Sequence, residues 1–167
     1  MNAVYPIVWF STAVHGQVVD DDTGAPVPDA AVVASWRLVG LELSTVRCLQ
    51  LAEVITGPDG TFRIPGWGPR FHFGPGVMLR TQPELHAVAD GYSAMAVSSS
   101  RNVTSAYMYA GPGTNGQVIE LRRSANDPAG KQDITLLLRL APEKVEGCDR
   151  SRLPQTLERL AHARVSP

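Results

Sequence analysis

The chain has 167 residues, 44% of them hydrophobic and 19% charged, with a net charge of −1 and two cysteines. Such a length suits one domain with a real core, or one domain plus an appendage. The near-neutral balance excludes a single-sign field that would draw the chain onto nucleic acid or an anionic membrane, and no apolar run approaches the roughly 20 residues that span a bilayer.

Residues 4–10, "VYPIVWF", are apolar, lack a preceding basic residue and are broken by Pro6. The stretch is too short for a working signal peptide and predicts a first strand. The other reading is a mature chain whose export signal, and any lipid anchor with it, has been replaced by a start Met. "AVHGQVVD" (13–20) predicts the next strand and ends in three consecutive carboxylates, Asp20, Asp21 and Asp22. "DAAVVASWRLVG" (29–40) and "TVRCLQLAEVIT" (45–56) follow as strands. "GPDG" (57–60) is a turn signal, because proline sets φ at the first turn position and Asp-Gly accommodates the next two. "TFRIP" (61–65) is a short strand with Phe62 and Ile64 on one face.

"GWGPRFHFGPGVM" (66–78) breaks the rhythm and predicts an ordered, glycine-rich loop. "ELHAVADGYSAMAV" (84–97) predicts two strands joined at Asp90-Gly91, and "GQVIELRR" (116–123) another strand. Between them, 98–116 is a polar, glycine-rich insertion. Residues 132–144 suit helix or strand. "LPQTLERLAHARV" (153–165) predicts a helix, with Leu153, Leu157 and Leu160 on one face and Pro154 in the first turn. Short strands punctuated by Gly and Pro predict a mainly β fold, an antiparallel Ig-like sandwich with a short C-terminal helical tail. The division is a sandwich over 1–123 and a tail over 124–167 packed on it.

The blocks "VHGQVVDDDTGAPVPDAAVVA", "VITGPDGTFRIPGW" and "LHAVADGY" resemble the carboxypeptidase regulatory-like domain over roughly residues 13–95. The residues that carry the resemblance are Gly16, Asp20, Thr23, Gly24, Pro26, Val27, Ala30, Val32, Asp59, Gly60, Phe62, Ile64, Pro65, Gly91 and Tyr92. The resemblance implies a transthyretin-like (prealbumin-like) sandwich serving as a non-catalytic module. It says little of the 98–116 insertion or of the tail.

Two readings meet at Asp20–Asp22. Calcium needs a spaced array of oxygens, whereas adjacent Asp side chains on an extended chain point to opposite faces. Asp at a turn start accepts backbone N–H bonds, and Thr-Gly supplies a residue free to take positive φ. A hairpin turn is therefore expected, with no metal and no cofactor. The four histidines, His15, His72, His86 and His162, form no zinc-protease spacing, and neither G-x-S-x-G nor a P-loop is present. His72 in the aromatic loop and His86 on a strand either meet in space or, as expected, are separate half-buried or surface imidazoles. No catalytic residue is assigned. A transthyretin-fold hydrolase or a metal enzyme is the third-ranked function: the hydrolases' Tyr-Arg-Gly-Ser tail is absent, and no H-x-H follows Tyr107 and Tyr109 as the related iron dioxygenases require.

The ligand-binding candidates are Trp67, Phe71, His72 and Phe73 in the aromatic loop, with Tyr107 and Tyr109 in the insertion. The aromatics either plug one end of the sandwich, the expected arrangement, or form a platform for a sugar ring or apolar peptide. Cys48 and Cys148 are expected to form a disulfide stapling the tail to the sandwich, the alternative being two separate buried thiols. The expected protein is an accessory or interaction module in the periplasm, outer envelope or extracellular space, with a protein or glycan partner. The second-ranked function is carbohydrate binding through Trp67, Phe71 and Phe73.

Overall fold

The computed structural model describes residues 7–40, 45–73, 83–92, 115–123, 147 and 149–158. The fold is mainly β. In chain order the strands are β1 (Ile7–Ser11), β2 (Val14–Asp20), β3 (Ala31–Val39), β4 (Thr45–Ile55), β5 (Thr61–Ile64), β6 (Trp67–His72), β7 (Glu84–Val88) and β8 (Asn115–Leu121). Among the described residues they form two three-stranded sheets, ordered β5-β2-β8 and β4-β3-β7, and a two-stranded ribbon, β1-β6.

Alternation along the strands decides what is buried. In β5, Phe62 and Ile64 are buried while Thr61 and Arg63 are exposed. In β3, Val32, Ala34, Trp36 and Leu38 join a core that also takes Val14 and Val18 of β2, Leu85 and Ala87 of β7, and Ile119 and Leu121 of β8. Both three-stranded sheets thus feed one core, and burial of these side chains is the main driving force for their association.

The opposite face of β3 is also buried, through Ala31, Val33 and Ser35. Glu53, opposite Val33 in the β3–β4 register, lies on that face. The C-terminal segment docks here: Leu153 and Thr156 are fully buried, and Glu53 accepts hydrogen bonds from the Gln155 amide (3.0 Å), the Thr156 amide (2.7 Å) and the Thr156 hydroxyl (2.6 Å). Residues 154–158 are helical, beginning at Pro154 as expected, so Glu53 caps the first-turn amides from a strand. Leu153 is buried as predicted, and Leu157 is half-buried. Leu160, His162, the 98–116 insertion and the 132–144 segment lie outside the described residues.

Two expectations are corrected. Residues 67–72 are a strand and not loop, because β1 supplies a pairing partner from Ile7 to Ser11. β8 pairs with β2 in parallel, Gly16 opposite Gln117 and Val18 opposite Ile119, so the pairing is not wholly antiparallel. The long chain between β2 and β8 permits this, since a parallel partner requires a crossover and not a hairpin. After β7 and the turn at Asp90-Gly91, Tyr92 makes an antiparallel bridge to Arg123, and the rest of the expected second strand, residues 93–97, lies outside the described residues. Among the described residues, no helix is long and apolar enough to cross a membrane.

The turns behave as their residues require. Asp59 Oδ1 accepts the Thr61 amide (3.0 Å) and hydroxyl (2.7 Å), which closes the GPDG turn. Gly60 has φ 72°, and a Cβ there would stand 2.5 Å from the Val18 carbonyl oxygen, so neither its backbone nor its space admits a side chain.

Candidate functional site

The acidic stretch is a turn, and Asp20 anchors it. Its Oδ1 accepts the amides of Asp22 and Thr23, each at 3.0 Å. Its Oδ2 accepts the Tyr92 hydroxyl at 2.9 Å and Arg123 Nε at 2.7 Å. Asp21 pairs with Arg122 at 3.1 Å. The carboxylate therefore joins the end of β2, the bridge after β7 and the chain after β8. The Arg123 guanidinium holds the Asp20 carboxyl well below the usual carboxylate range; burial opposes that shift, and the Tyr92 hydroxyl and Thr23 reinforce it. With all four contacts made to protein donors, Asp20 is structural. Among the described residues no group of three His, Cys, Asp or Glu side chains is placed to hold a metal ion.

This geometry fixes a pH dependence. A carboxyl whose folded pKa lies below its ordinary 3.8 contributes stability that is complete above that value and is lost as pH falls toward the folded value. Asp59 and Asp149 are lowered too, so the parent alone does not isolate Asp20. The melting temperature of the parent is expected to fall more steeply below about pH 4 than that of Asp20→Asn, which has no carboxylate to protonate. Parallel slopes in thermal scans would show that the Asp20–Arg123 pair does not couple to folding.

The predicted aromatic site divides in two. In the β1–β6 ribbon Val8 lies opposite Phe71, Trp9 opposite Arg70, and Ser11 opposite Trp67. From Trp9 to Ser11 is two steps on β1, but from Arg70 to Trp67 is three on β6. This is a bulge, and it reverses the face that Trp67 would share with Phe71 in a regular strand. Trp67 therefore packs on the core, edge-on to Trp36 with ring centroids 5.6 Å apart and planes at 88°. The Arg70 guanidinium sits 5.4 Å from the Trp67 ring centroid and donates to the Leu49 carbonyl at 2.6 Å. Trp36 itself donates to the Ser11 hydroxyl at 3.0 Å.

The other face is open. Phe71 is 66% exposed, Phe73 65%, Phe10 67% and Val8 44%. The expectation that the aromatics mostly plug the sandwich thus holds for Trp67 and is corrected for Phe71 and Phe73: the bulge directs one ring inward and leaves the others in solvent. Val8 and Phe10 belong to the same face and are not among the expected binding residues, because residues 4–10 read from sequence as a first strand or a processed export segment, with no face assigned. His72 is placed on β6 by its pairing with Ile7, but its side chain lies outside the described residues, as do Tyr107 and Tyr109. His86 does not meet His72 through pairing; it is on β7, and its Nε2 lies 3.0 Å from Glu84 Oε1, which itself belongs to a carboxylate paired with Arg37.

Two hollows flank these elements. An open groove of about 600 Å³ includes His15, Gln17, Thr61 and Arg63. Gln17 and Thr61 are already tied to the Asp59 turn. A smaller hollow of about 150 Å³ lies between β4, β6 and the turn at Gly147, lined by Arg47, Arg70, Phe71 and Arg152 among others. Gly147, with φ 81°, comes so close to the Cys48 carbonyl that a Cβ would collide with it. Cys48 is not a free thiol, while Cys148 lies outside the described residues. No family model matches the chain, and no curated protein matches it.

Proposed function

We propose that the chain is a non-catalytic interaction module of the cell envelope, built on a transthyretin-like sandwich of the carboxypeptidase regulatory-like type, and that it docks a partner protein on the β1–β6 ribbon. The shared core of the two three-stranded sheets supports the sandwich, and the Asp20 turn and the Asp59-Gly60 turn support the regulatory-like resemblance. The observation that carries the docking surface is the exposed row Val8, Phe10 and Phe71, continued by Phe73 just past β6, on one face of a ribbon whose other face packs Trp9 and Trp67 against the core. Isolated exposed apolar residues are ordinary, but four gathered on one face mark an interaction site.

A protein partner fits this face better than a glycan. Phenylalanine offers no hydrogen-bond group, and orientation of a polar ligand depends on placed polar groups. Trp67, the ring best suited to a sugar platform, is turned onto Trp36. Arginines beside the ribbon, in the hollow that Phe71 also lines, suit a partner whose apolar surface is bordered by carboxylates. The location is proposed on the same footing as the disulfide between Cys48 and Cys148, which requires an oxidising compartment.

A photo-crosslinking amino acid in place of Phe71 is expected to capture one discrete protein adduct in the native cell, and none when placed at the exposed Thr61. Phe10→Asp should abolish the adduct, and against the purified partner it should weaken binding by about 30-fold, the scale of an interface hot spot. Glycan-array binding that is lost on Phe71→Ala would instead promote the carbohydrate-binding reading.

A further inference from the structure

The hollow between β4, β6 and the Gly147 turn gathers three arginines, Arg47, Arg70 and Arg152, and no carboxylate among its described lining residues. Like charges lining one hollow repel, and an anion placed among them relieves that repulsion. The volume of about 150 Å³ is the share of about five liquid water molecules, room for one small oxyanion and not for a large ligand.

Arg70 is held in place before any ligand arrives. The Leu49 carbonyl takes a hydrogen bond from its Nη1, and the Trp67 ring supports its plane. A guanidinium carries five N–H donors, so this anchor leaves others for an anion, and its planar fork matches a carboxylate or phosphate edge. Arg47 already has an interaction of its own and contributes charge from β4. Arg152 comes from the 3₁₀ turn Arg150–Arg152. Asp149 lies close enough to feel the Arg152 charge, yet its Oδ1 is taken by the Ser151 amide at 2.9 Å, and it does not line the hollow.

We propose that this hollow is an oxyanion site that holds a carboxylate of the protein docked on the adjoining aromatic face. The carboxylate source rests on the docking reading above; the anion chemistry rests on the hollow alone. A free phosphate shares that chemistry, and the two sources are separable. In an NMR titration at constant ionic strength, with chloride as the reference salt, acetate and inorganic phosphate are each added to the whole chain. The amide signals of Cys48, Leu49, Gly147 and Arg152 are expected to shift saturably with acetate as well as phosphate. Arg152→Gln, an exposed position, should weaken both titrations by at least about tenfold, the loss of one charge-assisted contact. Phe10→Asp should leave them unchanged while abolishing the crosslinked adduct, so failure of the docking reading and failure of the anion site are distinguishable. Saturable shifts with phosphate and none with acetate would overturn the carboxylate assignment. Absence of saturable shifts with either, or equal binding by Arg152→Gln, would overturn the site.

Discussion

Trp36→Ala is expected to destabilise the fold by about 3–5 kcal/mol, the range for deletion of a buried aromatic ring. Trp36 is 1% exposed, sits in the shared core, donates to Ser11 and receives the edge contact from Trp67. Its removal therefore opens the core where the ribbon meets sheet β4-β3-β7, and so large a loss is a substantial fraction of the roughly 5–15 kcal/mol typical of a whole domain. Trp67→Ala should cost less, because Trp67 is only partly buried. Phe71→Ala, on the solvent side of the same ribbon, should stay within about 0.5 kcal/mol of the parent. Urea unfolding of the three variants measures the series. A Phe71→Ala variant as unstable as Trp67→Ala would mean that the ribbon does not present its two faces as described.

The second large effect is expected from the disulfide proposed between Cys48 and Cys148. Cys48 is not a free thiol, and Gly147, the residue before Cys148, packs against the Cys48 carbonyl. The separation, 148 − 48 = 100 residues, is long. Closing a loop of that size restricts the unfolded chain by up to about 4.7 kcal/mol in the chain-entropy model. Cys48→Ser with Cys148→Ser should lower the urea midpoint by a corresponding amount, and reduction of the parent should reproduce the loss. The tail should remain near β4 in the variant at low denaturant, because Glu53 holds the Gln155 and Thr156 amides independently. Thiol titration of the unreduced, denatured protein should find no free thiol; two free thiols would remove the staple and, with it, the proposed oxidising compartment.

Most strands were legible because their signals are local. Phe62 and Ile64 alternate with polar neighbours, Asp59-Gly60 closes its own turn, and Pro154 opens a helix that needs no N–H at its first position. The Asp20 turn was legible for the same reason, since half of its bonds go to amides two and three residues on. The candidate site was legible only in part. Its aromatic residues were visible, but their division between core and solvent was not, because one extra residue in β6 sets it, and a bulge of that kind has no sequence signature apart from Gly68-Pro69 within the strand. Thr56, which accepts the Ala30 amide and donates to the Val27 carbonyl, each at 2.8 Å, carried no signal at all.

By itself the sequence determined where most strands lie, β6 excepted, which of their positions are apolar, and where the chain turns at Asp20 and at Asp59-Gly60, since propensity, alternation and the φ of glycine and proline act over a few residues. Tertiary structure alone decided the partners: β8 beside β2, Arg123 on Asp20 across 103 residues, Thr156 on Glu53 across 103, and three arginines from β4, β6 and the 3₁₀ turn around one hollow. Those choices depend on which apolar faces can be buried together at once, a condition on the whole chain that no short stretch of it contains.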